Sequence, residues 1–324
     1  MEHVLDVRDL EVRFFSYYGV VRAVNGLSYQ VGSCETVGIV GESGSGKSVS
    51  AMAAMGLVER PGYVTAGAIH FEGRDLLAVS EKEWQLIRGN DITMCFQNPM
   101  RALNPLMKIG HQLTRVYMTH KHAKQGEARR RAVQLLREVN IADADRTIDR
   151  YPHQLSGGMC QRVMTVMALM CEPKVLILDE PTTGLDVTVQ KQLLHLLREL
   201  RDRATASQVL ITHDLGVVAN ICDCVVVMYA GRVMEQALVG QLFSEPKHPY
   251  TRALLQAIPQ IEAKKTLHPI PGDVPEALNL PVGCPFHPRC THRMDTCERH
   301  VPELRLAGDR QQVACHLYGE EQDE

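Results

Sequence analysis

The chain has 324 residues, which corresponds to about two domains at roughly 150 residues per domain. Its 35 Lys and Arg against 38 Asp and Glu give a net charge of -3, so it lacks the basic excess of proteins that coat nucleic acid. No apolar run is long enough to span a membrane, and the N-terminus lacks the regions of a secretory signal. We therefore expect a cytosolic chain whose ten cysteines stay outside disulfides.

Short apolar runs alternate with helical patterns through the first three quarters of the chain. Alternation of this kind is typical of a mostly parallel sheet covered by helices on both faces. Residues 99–172, by contrast, have mainly helical patterns and are predicted to form a helical insertion. The predicted strands are 36–40, 175–178, 209–212 and 224–229, and predicted helices begin at Ser48 and cover 187–203.

Proline and cysteine concentrate in the last quarter of the chain. Residues 246–324 hold ten of the 16 prolines and four of the ten cysteines. Proline at this density disfavours long helices and central strands. We predict one domain over 1–245 and a loop-rich extension over 246–324.

A glycine-rich segment lies between a predicted strand and a predicted helix. Gly-Glu-Ser-Gly-Ser-Gly-Lys-Ser fits the phosphate-binding pattern in the context that this pattern requires. Its backbone N–H groups and the helix N-terminus favour an anion, Lys47 is expected on the β- and γ-phosphates, and Ser48 on Mg²⁺. The predicted nucleotide ligands are Gly41, Ser43, Gly44, Ser45, Gly46, Lys47, Ser48 and Val49.

A pair of carboxylates follows the predicted strand 175–178. Asp179 is expected to bind Mg²⁺, and Glu180 to polarise a water molecule that attacks the γ-phosphate. Together with the phosphate loop, the pair predicts an enzyme that hydrolyses a nucleoside triphosphate.

The segment Leu155-Ser-Gly-Gly-Met-Cys-Gln-Arg162 resembles the signature motif of the ATP-binding subunits of ABC transporters. The resemblance implies a P-loop NTPase fold: a RecA-like α/β core, an N-terminal antiparallel β subdomain and a helical subdomain. It also implies that Ser156, Gly157 and Gly158 contact the ATP of a partner subunit. The chain departs from the family at Cys160, where arginine is common.

Further residues resemble family motifs in the family's order. Gln97 resembles the glutamine that binds Mg²⁺ and contacts the membrane subunit, and Asp186 ends a segment that resembles the D-loop, which reaches the partner's ATP. His213 resembles the switch histidine on the γ-phosphate. Phe14 is similar in position to the aromatic residue that stacks on adenine.

The extension resembles that of oligopeptide, dipeptide and nickel importer ATPases. The segments that carry the resemblance are His248-Pro-Tyr-Thr251 with Ala257-Ile-Pro259, and Pro271-Gly-Asp-Val-Pro275. It implies an ATPase subunit that drives uptake of di- or oligopeptides, peripheral on the cytoplasmic face of the inner membrane. The implied partners are two permeases, a related second ATPase and an extracytoplasmic substrate-binding protein. Nickel or a metal chelate as cargo, or a soluble ABC ATPase, are the alternatives.

Four cysteines lie in the extension, and their spacing matches neither paired zinc motifs nor the common ferredoxin pattern. Their concentration in an apolar-poor segment favours a metal site, with a metal-free docking module as the alternative. The resemblance of Gly283–Cys290 to peptide-importer tails implies a [4Fe–4S] cluster, with zinc as the second choice. The predicted ligands are Cys284, Cys290, Cys297 and Cys315.

Overall fold

The computed structural model describes residues 3–204, 206–257 and 270–318, and Ile258, Pro259 and the acidic C-terminal end lie outside these ranges. The chain divides into two compact units, each described by itself below. The first unit comprises Met1–Leu5, Val31–Glu35 and Leu77–Ile211, and the second comprises Asp6–Gln30, Thr36–Leu76 and Thr212–Glu324.

Strands and helices are numbered in chain order. The strands are β1 (His3–Ser16), β2 (Gly19–Gly32), β3 (Thr36–Val40), β4 (Gly62–Phe71), β5 (Arg74–Asp75), β6 (Ile92–Cys95), β7 (Val175–Asp179), β8 (Ser207–Thr212), β9 (Cys224–Tyr229), β10 (Arg232–Leu238), β11 (Arg305–Gly308) and β12 (Gln311–Val313). The α-helices are α1 (Lys47–Ala54), α2 (Glu81–Ile87), α3 (Pro99–Ala102), α4 (Ile109–Lys121), α5 (Gln125–Glu138), α6 (Ala144–Thr147), α7 (Gly157–Leu169), α8 (Val187–Ala204), α9 (Leu215–Ile221), α10 (Val239–Ser244), α11 (Pro249–Gln256) and α12 (Asp295–Arg299).

The first unit combines parallel strands with a run of helices. β7 pairs in parallel with β6 on one side and β8 on the other, and every residue of β7 is buried. A strand buried on both faces has to be apolar throughout, which is why Val175-Leu-Ile-Leu178 is recognisable in the sequence. Helices α3 to α7 occupy the predicted helical insertion, because residues 99–172 carry the 3.6-residue apolar period.

The second unit contains a mixed set of strands. β3 pairs in parallel with β9, whereas β9 with β10, β10 with β12, and β12 with β11 pair antiparallel. A separate four-stranded sheet has the order β2-β1-β4-β5. The parallel strands coincide with predicted apolar runs. The antiparallel strands β10 to β12 did not stand out in the sequence because they are shorter or only half buried.

A buried carboxylate attaches the start of the extension to β10. Glu235 is fully buried, and its carboxylate accepts hydrogen bonds of 2.8 Å from the backbone N–H groups of Lys247 and His248 and from the Gln311 amide. The His248 imidazole is buried too, which lowers its pKa to about 3. Its Nδ1 accepts from the Tyr250 N–H and caps α11.

An aromatic cluster made of Tyr229, Tyr250 and Phe286 extends the core of the second unit into the extension. All three side chains are buried, and their ring centroids lie 4.7–5.3 Å apart. The rings are tilted or edge-to-face, the arrangements that aromatic quadrupoles favour. Through Tyr250 and Phe286, the extension therefore packs on Tyr229 at the end of β9, in the core of the second unit.

Among the described residues, no helix is both long and apolar enough to cross a membrane.

We predict that Phe286→Ala lowers the free energy of unfolding by about 3–5 kcal/mol, because it opens a cavity beside the Tyr229 and Tyr250 rings. Denaturant unfolding followed by circular dichroism measures this change. Val282→Ala is the matched control, since the Val282 side chain is 73% exposed in the same segment. Equal stability of the two variants would show that the cluster does not hold the extension.

Candidate nucleotide site

The backbone of the phosphate loop passes two carbonyl groups at glycine positions. A Cβ on Gly41 would lie 2.1 Å from the Met228 carbonyl oxygen, and one on Gly46 would lie 2.3 Å from the Ala23 carbonyl oxygen. Gly46 also has a φ of +96° at the residue before α1. Only glycine combines this conformation with so close an approach.

The Lys47 ammonium is hydrogen-bonded to the backbone of the phosphate loop. Its ammonium donates 2.8 Å hydrogen bonds to the carbonyl oxygens of Gly41 and Glu42 and lies 3.3 Å from the Ser45 hydroxyl, and the residue is only 6% exposed. Ser43, Gly44 and Ser48 are exposed, whereas Ser45 is buried. The predicted phosphate ligands are thus brought together as one curled segment that opens α1.

Two neighbouring segments support the loop, and sequence reasoning did not identify them. The Gly231 N–H donates to the Ser45 carbonyl at 3.0 Å, and the Asn25 N–H donates to the Gly231 carbonyl at 2.8 Å. The Asn25 amide also donates to the Ala230 carbonyl at 3.2 Å. Ala230 and Gly231 follow the predicted strand 224–229, but nothing in the sequence indicated what they contact.

The predicted adenine-stacking residue lies against the backbone of its own unit. Phe14 is half-buried, and a Cβ placed on Gly62 would be 2.5 Å from its ring. The most exposed aromatic side chains of the same hairpin are Tyr17 (99%) and Tyr18 (85%). The role of Phe14 in stacking on adenine stays a prediction.

His213 follows β8 directly and is exposed. The next residue, Asp214, caps α9 by accepting hydrogen bonds from the N–H groups of Gly216 and Val217. This cap turns the chain sharply after the strand, so the histidine stands at the strand end, as the sequence pattern predicts.

In the first unit, the carboxyl end of β7 brings three polar residues together. Asp179 is buried at the end of the strand, and Glu180 follows it with a φ of +46°. The Glu180 Oε2 accepts hydrogen bonds of 3.0 Å from the Gln97 amide and from the Thr183 hydroxyl. Gln97 was predicted as a Mg²⁺ ligand and Glu180 as the residue that polarises the attacking water, and the structure joins the two by a hydrogen bond. Thr183 was missed, although it lies in the segment that resembles the D-loop.

The left-handed backbone at Glu180 is unfavourable for a residue with a side chain, by about 1–2 kcal/mol. The Glu180 N–H nevertheless donates to the Ile211 carbonyl at 2.9 Å, and the Thr183 N–H donates to the Glu180 carbonyl at 3.2 Å. These bonds hold the residue in this conformation, which aims its carboxylate at Gln97.

The segment that resembles the signature motif begins α7. Ser156 caps this helix, since its hydroxyl accepts from the Met159 N–H at 3.3 Å. A Cβ on Gly157 would meet no atom within 4 Å, so this turn is open, whereas Gly158 lies against Leu185. Cys160 is fully buried, and burial raises the pKa of its thiol. The departure from the family at this position therefore changes the packing below the turn and not its exposed surface.

Asp186 caps α8 in the same way. Its carboxylate accepts hydrogen bonds of 3.0 Å from the N–H groups of Thr188 and Val189. The contact of Asp186 with the ATP of a partner subunit stays a prediction.

The four cysteines of the extension affect one another electrostatically, but the metal prediction is not confirmed. Burial raises the pKa of Cys284 to about 12, and the thiols of Cys297, Cys315 and Cys290 add to the effect. All four cysteines are free thiols. Yet within the described ranges no three His, Cys, Asp or Glu side chains are placed to hold one metal ion.

Two protein-family models match the chain. Residues 24–183 match the model of ABC transporters, and residues 234–297 match that of the oligopeptide/dipeptide transporter C-terminal region. The second match includes three of the four cysteines of the extension.

Curated relatives align over nearly the whole chain. The oligopeptide transport ATP-binding protein AppD of Bacillus subtilis (strain 168) is 47% identical over 99% of this chain and 98% of that protein. The dipeptide transport ATP-binding protein DppD of Escherichia coli (strain K12) is 46% identical over 97% of this chain and 96% of that protein.

Solved structures of the same fold include the ATP-binding cassette MJ0796 bound to ADP and Pi, with a TM-score of 0.66 at 24% identity, covering 72% of this chain and 98% of that chain. The cbiO1 protein of Clostridium perfringens has a TM-score of 0.64 at 28% identity, covering 76% of this chain and 92% of that chain. The predicted fold, an ABC-type P-loop NTPase with a β subdomain, is confirmed. With its phosphate loop, its carboxylate pair and these full-length relatives, the chain belongs to the family of ABC transporter ATPases.

Proposed function

We propose that this ATPase drives the uptake of di- or oligopeptides across the cytoplasmic membrane. The match of residues 234–297 to the oligopeptide/dipeptide transporter C-terminal region carries the proposal, because this region lies outside the general ATP-binding cassette. Two relatives that are named for oligopeptide or dipeptide transport and align over nearly the whole chain also support the proposal. Nickel or a metal chelate is not favoured by these relatives.

The proposed domain organisation is a cassette over 1–245, with its helical subdomain at about 99–172, and an extension over 246–324. Two permeases, a related second ATPase and an extracytoplasmic substrate-binding protein are the proposed partners. Docking on the permeases would place the chain on the cytoplasmic face of the membrane.

In the proposed mechanism each ATP is bound by the phosphate loop of one subunit and by Ser156–Gly158 and Asp186 of the other. Ser48, Asp179 and Gln97 would hold Mg²⁺, which would supply positive charge to the phosphates, and His213 would contact the γ-phosphate. Glu180 accepts the proton of the attacking water, and its hydrogen bonds from Gln97 and Thr183 orient its carboxylate for this task. Binding of ATP closes the pair of subunits, and hydrolysis reopens it.

We also propose a [4Fe–4S] cluster on the four cysteines, with zinc as the second choice. Each sulfur of such a cluster binds a different iron, so the four sulfurs lie further apart than around a single ion. The pKa of Cys284 is raised by burial and also by the thiols of Cys297, Cys315 and Cys290, so the four thiols lie close enough to interact. Their nearness supports a shared ligand, and the resemblance of the extension to peptide-importer tails is the reason for preferring a cluster to zinc.

The complete complex should transport labelled dipeptides or longer peptides in an ATP-dependent way. Reconstitution in vesicles with the proposed permeases and substrate-binding protein measures the uptake, and vesicles without ATP are the control. Uptake of nickel but not of peptides would contradict the proposed cargo while leaving the ATPase intact.

Glu180→Gln should lower ATP turnover at least about 100-fold while ATP still binds, because the amide cannot accept the proton of the attacking water. Steady-state hydrolysis by the assembled transporter and equilibrium binding of ATP measure the two effects. Glu138→Gln, an exposed position in the same unit, is the control. Normal turnover in Glu180→Gln would rule out Glu180 as the general base.

Protein purified without oxygen should contain about four irons and four acid-labile sulfides per chain. Cys284→Ser should remove both along with the brown absorbance, while Cys34→Ser, an exposed thiol outside the set, should leave them unchanged. Zinc alone, or no metal at all, would exclude the cluster.

A further inference from the structure

A buried arginine of the extension contacts the phosphate loop. Arg289 donates to both carboxylate oxygens of Glu42, with Nη1 at 2.7 Å from Oε2 and Nη2 at 3.1 Å from Oε1. The two residues are 247 positions apart in the chain, and the arginine side chain is only 5% exposed. A two-point pair of this kind fixes the orientation of both partners as well as their distance.

The remaining donors of the guanidinium are used as well. Nε donates to the Pro271 carbonyl at 2.8 Å, Nη2 to the Ile270 carbonyl at 3.4 Å, and Nη1 to the Tyr229 hydroxyl at 3.2 Å. With the two bonds to Glu42, five hydrogen bonds leave from the five N–H donors of the arginine. The side chain is therefore held by the extension on one side and by the end of β9 on the other.

Glu42 is contacted through its backbone too. Its N–H donates to the hydroxyl of the buried Tyr250 at 2.9 Å, and its carbonyl oxygen accepts from the Lys47 ammonium at 2.8 Å. The residue that helps to orient Lys47 is thus attached to the extension at both its amide and its carboxylate.

The position of Glu42 raises an electrostatic problem for a loop that binds phosphates. A carboxylate beside an anion site repels the incoming phosphates, and partial burial weakens the screening of this repulsion by solvent. The Glu42 side chain is 26% exposed, and its carboxylate is paired with the Arg289 guanidinium. The pair removes the net negative charge at the second residue of the loop.

We infer that Arg289 is a positioning residue for ATP binding, which neutralises Glu42 and holds the phosphate loop in the shape that receives the nucleotide. The inference rests on the proposed binding of ATP by this loop. The extension then contributes to ATP binding through Arg289, in addition to any function of its cysteines. A merely structural arginine would attach the extension without affecting nucleotide affinity.

Arg289→Gln tests the inference in the full-length chain and in the assembled transporter. We expect the dissociation constant for ATP and the KM for ATP to rise about tenfold, since a charge-assisted pair is lost, while kcat changes less than about twofold. Arg293→Gln is the matched control, because Arg293 forms an exposed ion pair with Glu298 in the same extension. This variant should bind ATP as the wild type does.

The double variant Glu42→Gln/Arg289→Gln provides the rescue. Without the carboxylate there is no charge left to neutralise, so ATP affinity should return to within about threefold of the wild type. Arg289→Lys keeps the positive charge and replaces Arg289→Gln as the test if the glutamine variant does not fold.

If both variants fold, Arg289→Lys should bind ATP more tightly than Arg289→Gln. If only Arg289→Lys folds, its ATP affinity should lie within about threefold of the wild type.

Wild-type affinity in Arg289→Gln, or no recovery in the double variant, would overturn the role of Arg289. If Arg289→Gln does not fold, a loss of ATP affinity of tenfold or more in a folded Arg289→Lys would overturn it. Failure of the wild-type chain to bind ATP would instead overturn the proposed function, so the two outcomes are distinguishable.

Discussion

The phosphate loop must pass two backbone carbonyl groups at distances that no side chain permits. The carbonyl oxygens of Met228 and Ala23 occupy the space of a Cβ at residues 41 and 46. The end of β9 and the strand β2 therefore determine the path of the loop. Residues 41 and 46 are glycines because this path leaves no room for a Cβ. Once this path is set, the carbonyl groups of the loop converge on Lys47, and α1 begins where the loop ends.

Paired buried charges attach the extension to the phosphate loop and to β10 within the second unit. Burial of an unpaired carboxylate or guanidinium is costly, so such a group is found where several hydrogen bonds satisfy it. Glu235 receives three donors at the start of the extension, and Arg289 uses its donors on Glu42, Tyr229 and two carbonyl groups. These polar contacts, together with the aromatic cluster, make the extension part of the compact unit that contains the phosphate loop.

Several residues that resemble ligand-binding positions also perform a local structural task. Ser156 and Asp186 cap the helices that follow them, because the first N–H groups of a helix lack partners within it. Serine and aspartate at these positions are thus explained by helix capping alone. Glu180 is different, since its left-handed backbone is unfavourable and places its carboxylate against Gln97 and Thr183.

The sequence by itself determined the buried parallel strands, the glycine pattern of the loop and the helical insertion, because these depend on local period and on backbone conformation. It also placed Asp179 and Glu180 at a strand end. It did not determine the pairing of Gln97 with Glu180 or of Arg289 with Glu42. Such pairs join residues 83 and 247 positions apart, and no local pattern encodes which side chains meet. Only the tertiary structure decided them, because the fold determines which side chains from distant parts of the chain lie within hydrogen-bonding distance.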